Sequence, residues 1–224
     1  MQTFQLDLNC SIASVYSFAF QQNQYPLVSS LTLTAGDNEI APQDIEIQLT
    51  TDPAIISCEP WKLTHLDSRT SAILNSKTLR ISSDYLNGLT ENLEVSLTFR
   101  IFIHGDLQNE VIKTVTLMPK NHWAGFNGMP ELLGAFSTPN SPYIEEIIRT
   151  TTETMAASGL PSTIDGYQSR TREKPYQMLS ALWNVVKSKQ IGYVNPSPSY
   201  ALNGQRIRLA EDIKNTPNAA CLDL

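Results

Sequence analysis

Leu93-Glu94-Val95-Ser96-Leu97-Thr98-Phe99-Arg100-Ile101-Phe102-Ile103 is the stretch that decides the first half of the chain. Leu93, Val95, Leu97, Phe99, Ile101 and Ile103 lie two residues apart, and in an extended chain alternate side chains point to one side. The stretch therefore reads as a long strand whose apolar face another layer must cover. Ile45, Ile47 and Leu49 alternate with Glu46 and Gln48 in the same way. Further strands are expected through residues 11–20, 26–35, 56–64, 77–83 and 110–118. Turn signals separate them at Ala35-Gly36-Asp37-Asn38, Thr51-Asp52-Pro53, Asn87-Gly88 and His104-Gly105-Asp106. About seven strands at this spacing predict an immunoglobulin-like β-sandwich over residues 1–120.

Beyond that sandwich the composition changes. Pro119-Lys120-Asn121-His122-Trp123-Ala124-Gly125-Phe126-Asn127-Gly128 replaces alternation with glycine, proline and aromatic residues, which marks a boundary and a linker with a short helix over residues 121–140. From residue 141 the period is helical. Ser141-Pro142 reads as an N-cap followed by proline at the first helical position, Glu145 and Glu146 fall in the first turn, and Gly159 closes the segment. Ile144, Ile147, Ile148, Thr151 and Met155 share a face of that helix. A second helix is expected from between Arg170 and Pro175 to about Lys189, with Tyr176, Leu179, Trp183 and Val186 as its buried stripe. Asn195-Pro196-Ser197-Pro198-Ser199 reads as loop, and Asn203-Gly204 followed by Arg206, Ile207, Arg208 and Leu209 as a short local hairpin. Asn218-Ala219-Ala220-Cys221-Leu222-Asp223-Leu224 looks like the first turn of an apolar helix, with a frayed end. The expected fold class is α+β: a mostly β first half, then a helix-rich segment over residues 141–224.

At 224 residues, 41% hydrophobic and 17% charged, the chain is built to fold rather than to stay disordered. Its net charge of -6 is uneven, because the acidic excess lies entirely before Trp123. Such a sandwich repels a polyanion and is a poor phosphate-backbone binder. Met1-Gln2-Thr3-Phe4-Gln5-Leu6-Asp7 has no basic or apolar leader character, and no window reaches the length of a membrane span. A cytoplasmic location without membrane contact is expected.

Walker-type, Gly-x-Gly-x-x-Gly and His-Glu-x-x-His patterns are absent from the sequence. The residues imply no cofactor and no metal site. Among the 3 cysteines, Cys10, Cys58 and Cys221, none has metal-ligand spacing, and all read as thiols. Cys10 and Cys58 fall in expected strands, but Trp61 follows the second cysteine instead of lying between the two, so the immunoglobulin likeness is one of architecture. Cys221 is the one candidate nucleophile, since a thiol at a helix N-terminus has its thiolate stabilised by backbone N–H groups. Its plain alternative is a small buried residue at a helix start. The histidines, His65, His104 and His122, all precede it, and none follows it. Arg170, Arg172, Lys174, Lys187, Lys189, Arg206, Arg208 and Lys214 form a basic excess that reads either as a solvated helix face or as a weak single-stranded nucleic-acid contact.

Four blocks resemble a known family: His122-Trp123-Ala124-Gly125, Pro130-Glu131-Leu132-Leu133-Gly134-Ala135-Phe136, Asp165-Gly166-Tyr167-Gln168-Ser169 and Ala220-Cys221-Leu222-Asp223. In order and spacing they are similar to the N-terminal domain of unknown function of large bacterial superfamily-one helicase-like proteins. Ala124 and Ala220 depart from that pattern, which has glycine and threonine there. The resemblance implies a β-sandwich followed by the start of a transglutaminase-like cysteine fold, incomplete within these residues, with Cys221 at the cysteine position. It implies a non-catalytic recognition or regulatory module of a DNA-processing or phage-defence protein. The partner would be the C-terminal helicase region or another protein. The alternatives are part of a transglutaminase-like cysteine hydrolase or transferase with Cys221 as nucleophile, and a single-stranded nucleic-acid contacting module.

Overall fold

The structure, a computed structural model, describes residues 5–37, 44–74, 77, 79–126, 130–166, 168–196, 198 and 200–224. Of the residues singled out above, Met1–Phe4, Asn38, Asn127, Gly128, Tyr167, Ser197 and Ser199 lie outside the described residues. The fold is mixed α and β, and the chain divides into two units, residues 1–120 and 121–224.

In the first unit the order is β1 (Leu6–Ile12), β2 (Val15–Tyr16), α1 (Phe18–Gln22), β3 (Val28–Ala35), β4 (Ile45–Asp52), β5 (Ile56–Ser57), β6 (Trp61–Leu63), β7 (Ser71–Leu74), β8 (Arg80–Ile81), α2 (Ser83–Gly88), β9 (Leu93–Ile103) and β10 (Asp106–Leu117). Strand β9 lies at the centre of a five-stranded sheet of order β2-β10-β9-β4-β6, hydrogen-bonded along both edges. Its alternation has the expected result: Val95, Leu97, Phe99, Ile101 and Ile103 are buried, and Trp61 of β6 packs its ring 6.4 Å from that of Phe99. On the other face, Arg100 Nε donates to Glu110 Oε2 across the β9–β10 ladder at 2.7 Å. A three-stranded sheet, β1-β3-β7, buries Leu6, Leu8, Cys10, Leu31, Leu33 and Ala35. Asn109 Nδ2 donates to the Leu6 carbonyl at 2.9 Å and ties β10 to β1.

Three strand expectations are corrected here. Residues 11–20 hold the end of β1, the short β2 and the start of helix α1. Tyr16 ends β2, extended Ser17 follows, and α1 then buries Ala19 and Phe20, so strand and helix share this stretch. Among the described residues of 77–83 the strand is the two-residue β8, because Ser82 Oγ accepts from Tyr85 N and starts α2, so that Asn87-Gly88 ends a helix instead of making a turn between strands. Cys58 follows β5 outside any strand, whereas Cys10 is buried in β1, and both are free thiols. Burial raises the pKa of each above that of an ordinary thiol.

The second unit runs β11 (His122–Trp123), a 3-10 helix (Pro130–Phe136), α3 (Pro142–Ala157), α4 (Glu173–Ser188), β12 (Gly192–Tyr193), α5 (Tyr200–Asn203), β13 (Gln205–Arg206), α6 (Ala210–Asn215) and β14 (Asn218–Ala219). Ser141 caps α3 by accepting from Tyr143 N at 3.3 Å, with Pro142 at the first helical position. Tyr143, Ile147, Val185, Ile213 and Ala219 form the core that joins α3, α4, α6 and β14.

Here the expected buried stripe of α4 is wrong. Tyr176, Leu179 and Trp183 are 73%, 65% and 69% exposed, and the buried positions are Ala181 and Val185. Helical period finds apolar stripes but does not say which one meets the neighbour, and α4 carries two. The side with the smaller residues, Ala181 and Val185, is the one that packs inward, while Val186 at the border is half-buried. On α3, likewise, Ile147, Thr151 and Met155 are buried but Ile148 is exposed.

The local hairpin at Asn203-Gly204 is also replaced. Asn203 ends α5, and β13 pairs antiparallel with distant β11, His122 opposite Arg206 and Trp123 opposite Gln205. Gly204 (φ +79) and Gly125 (φ +81) hold left-handed backbone in this crossing. A Cβ on Gly204 would lie 1.8 Å from the Trp123 carbonyl oxygen, so backbone meets backbone where no side chain fits. The final residues form β14 and a turn at 221–223, not the start of an apolar helix.

Gly204→Ala combines that overlap with strained φ and is expected to destabilise the helical unit by about 3 kcal/mol or more. Chemical denaturation followed by the far-ultraviolet helix signal checks this; an unchanged midpoint would show that the crossing is not a constraint.

Candidate functional site

Parallel pairing of β12 with β14, Gly192 opposite Asn218 and Tyr193 opposite Ala219, carries the Tyr193 side chain to the residues that follow Ala219. Gly192 N donates to the Pro217 carbonyl at 2.8 Å and Val194 N to the Ala219 carbonyl at 2.9 Å. Cys221 is exposed, and its Sγ lies 3.9 Å from the Tyr193 hydroxyl, in hydrogen-bond contact with it. That bond to Cys221, ahead of any other influence, raises the Tyr193 pKa above the usual phenol value.

Asp223 closes the turn around the cysteine. Its Oδ1 accepts from Arg208 N at 3.0 Å and its Oδ2 from Ala220 N at 2.7 Å, while Asp223 N donates to the Ala220 carbonyl at 3.0 Å. One carboxylate thus closes the C-terminal turn through Ala220 N and ties it to the segment after β13 through Arg208 N, each by a charge-assisted bond. Cys221 sits in this turn instead of at a helix N-terminus. A phenol stands beside it where nucleophilic thiol chemistry calls for an imidazole. Of the histidines, His65 binds Asp67 at 2.6 Å, His104 sits in the β9–β10 turn, and His122 lies opposite Arg206 in the β11–β13 ladder.

The basic residues fall into two groups. Lys174 is ion-paired to Asp165 and donates to Thr163 Oγ1 at 2.7 Å. Lys189 at 2.7 Å and Lys214 at 3.4 Å both clamp Glu146, and both ammonium groups lie over the Tyr143 ring, at 5.6 and 5.7 Å. The hydrogen bond from Lys189, then that from Lys214, holds the Glu146 carboxyl below its usual range, and Lys174 does the same for Asp165. These lysines are engaged within the unit. Arg208 gives its backbone N–H to Asp223, and its Nη1 is buried without a hydrogen-bond partner among the described residues. Arg170, Arg172, Lys187 and Arg206 are exposed and form no ion pair among the described residues. Arg170 and Arg172 precede α4, Lys187 lies in its last turn and Arg206 on β13, so the exposed cations are carried by separate segments.

The feature that sequence reasoning missed is the outward side of α4. The signal was present in Ala181 and Val185, whose i, i+4 spacing marks a second apolar side opposite Tyr176, Leu179 and Trp183. Beside that outward side, Tyr176, Gln177, Ser180 and Asn184 line a shallow pocket of about 180 Å³ with Thr154 and Ser158 of the α3 end. No group of three or more metal-ligating side chains occurs among the described residues, and none of the helices among them is long and apolar enough to cross a membrane.

The chain matches no protein-family model and no curated protein. The geometry of the two features above, the closed cysteine turn and the open helix side, is therefore what a functional reading has to rest on.

Asp223→Ala leaves the Arg208 and Ala220 N–H groups without their acceptor and is expected to cost about 1–3 kcal/mol. Cys221→Ser, at an exposed position, is expected to change stability by less than about 0.5 kcal/mol. Denaturant titration of the two variants checks this, and the reverse order would point to a structural role for the thiol.

Proposed function

We propose that the chain is a non-catalytic recognition or regulatory module of a helicase-like, DNA-processing or phage-defence protein, acting in the cytoplasm. The observation that carries this reading is the C-terminal turn. Asp223 of the Ala220-Cys221-Leu222-Asp223 block holds Arg208 N and Ala220 N, so the block completes a scaffold. Two other blocks that resemble the helicase-associated family have the same character. Trp123 and Gly125 form the backbone crossing with Gly204, and Asp165 anchors Lys174. Gly166 lies where a Cβ would stand 3.3 Å from Met178 Sδ. Such residues position a fold, and the working surface belongs elsewhere on it.

In this reading the two sheets of the first unit form an immunoglobulin-like sandwich, supported by the buried alternation of β9, β4, β1 and β3. The second unit is the opening part of a transglutaminase-like fold, supported by the order of the four blocks. An enzyme reading with Cys221 as nucleophile has the exposed thiol in its favour and the Tyr193 phenol, in place of a base, against it.

The test is the DNA that follows the Leu224 codon. A reading frame that continues into helicase motor motifs is the expected result, and a stop codon followed by unrelated sequence would contradict the helicase association.

A further inference from the structure

We propose that the outward side of α4 is the docking site for an acidic, amphipathic helix of a partner protein. This rests on the reading of the chain as a recognition module, and it names the surface and the chemistry of what it recognises. Tyr176, Leu179 and Trp183 follow i, i+3, i+7, the spacing of a seam that a second helix fills by knobs-into-holes packing, while Val186 at i+10 is half-buried against the unit's own core and only borders the stripe. All three are more than half exposed, on a helix whose opposite side, Ala181 and Val185, already supplies the contact with its own core. Leu182 widens the stripe on one side. On the other side Ser180 lies between the stripe and the shallow pocket of about 180 Å³, which offers a recess for one bulky anchor side chain.

The charge around the stripe selects the partner. At 100° per residue Arg172 and Lys187 fall on the same side of the helix as Tyr176, Leu179 and Trp183, one at each end. Both are exposed and form no ion pair among the described residues. Arg170 adds a third exposed cation before the N-terminal end. Glu173, in the first turn, is the only carboxylate on α4, and residues 174–188 carry none. A partner helix with apolar residues at seam positions and glutamate or aspartate along its flanks would complement this side in shape and charge, and a basic one would be repelled. Single-stranded nucleic acid fits less well. Its binding surfaces combine stacked aromatic rings with a continuous basic groove, whereas here Leu179 separates the two aromatics and the cations stand only at the ends.

The experiment uses the full chain and three probes: a fluorescein-labelled helical peptide with leucine at heptad seam positions and glutamate on the flanks, the same peptide with lysine for glutamate, and oligo(dT). The acidic peptide is expected to bind, with affinity lowered at least about tenfold by Trp183→Ala and lowered several-fold, about threefold or more, by Arg172→Glu combined with Lys187→Glu. Both variants change exposed side chains, and circular dichroism confirms that they stay folded. Trp61 and Trp123 are 4% and 2% exposed, so acrylamide quenching reports chiefly on Trp183, which should be accessible in the free chain and shielded by the acidic peptide. Equal binding of the acidic and basic peptides, no binding of the acidic peptide up to about 1 mM, or insensitivity to Trp183→Ala would overturn the proposal. So would a Trp183 already shielded in the free chain, self-association abolished by Trp183→Ala, or oligo(dT) binding abolished by it. None of these outcomes depends on which reading frame follows Leu224, so the docking site and the helicase association stand or fall separately.

Discussion

The second unit depends on one backbone contact, the approach of Gly204 to the Trp123 carbonyl, at a distance that excludes even a methyl group. This contact joins β11 at the start of the unit to β13 near its end, and Ile207 N extends it by donating to the Asn121 carbonyl at 2.7 Å. Everything between, including α3 and α4, is a long excursion whose two ends are fixed there. Trp123 is buried beside the crossing with its ring set edge-on to that of Phe126, 5.0 Å away. Only glycine at 125 and 204 permits both the positive φ and the approach.

Electrostatics hold the excursion in place. Glu146 of α3 receives Lys189 from the end of α4 and Lys214 from α6, and Glu211 of α6 accepts from Ser141 Oγ and Tyr143 N at the start of α3. In each case hydrogen bonds to the charged form lower the carboxyl pKa. The sign follows directly: stability from these contacts is present above the ordinary carboxylate range and is lost as pH falls through the lowered folded value. All of these groups are near water, so each contribution is small and the network acts by registering three helices rather than by adding much energy.

The strands were legible where one face is buried and the other solvated, because that geometry writes period two into the sequence. Leu93–Ile103 and Ile45–Leu49 are the clearest cases. Helix α3 was legible from its Ser141-Pro142 cap, which is a local signal. The side of α4 that faces the core was not, because Ala181 and Val185 are small and contribute little to an apolar count, whereas Tyr176, Leu179 and Trp183 dominate it. The role of Asp223 was hidden for another reason. Its partners, Arg208 N and Ala220 N, are backbone groups, and one of them lies 15 residues away. Cys221 could be singled out by residue type, but its Tyr193 neighbour arises from the parallel pairing of two short strands, which no local pattern announces.

A scaffold closed by backbone and carboxylate contacts leaves the large apolar side chains of α4 free to face outward. Amide hydrogen exchange on the full chain tests that closure most directly. If the C-terminal block is scaffold, the amides of Arg208 and Ala220, held by Asp223, and of Val194, held by the Ala219 carbonyl, exchange far more slowly than unstructured peptide. Exchange at unprotected rates through residues 218–224, while Val95–Ile103 remain protected, would contradict a closed turn.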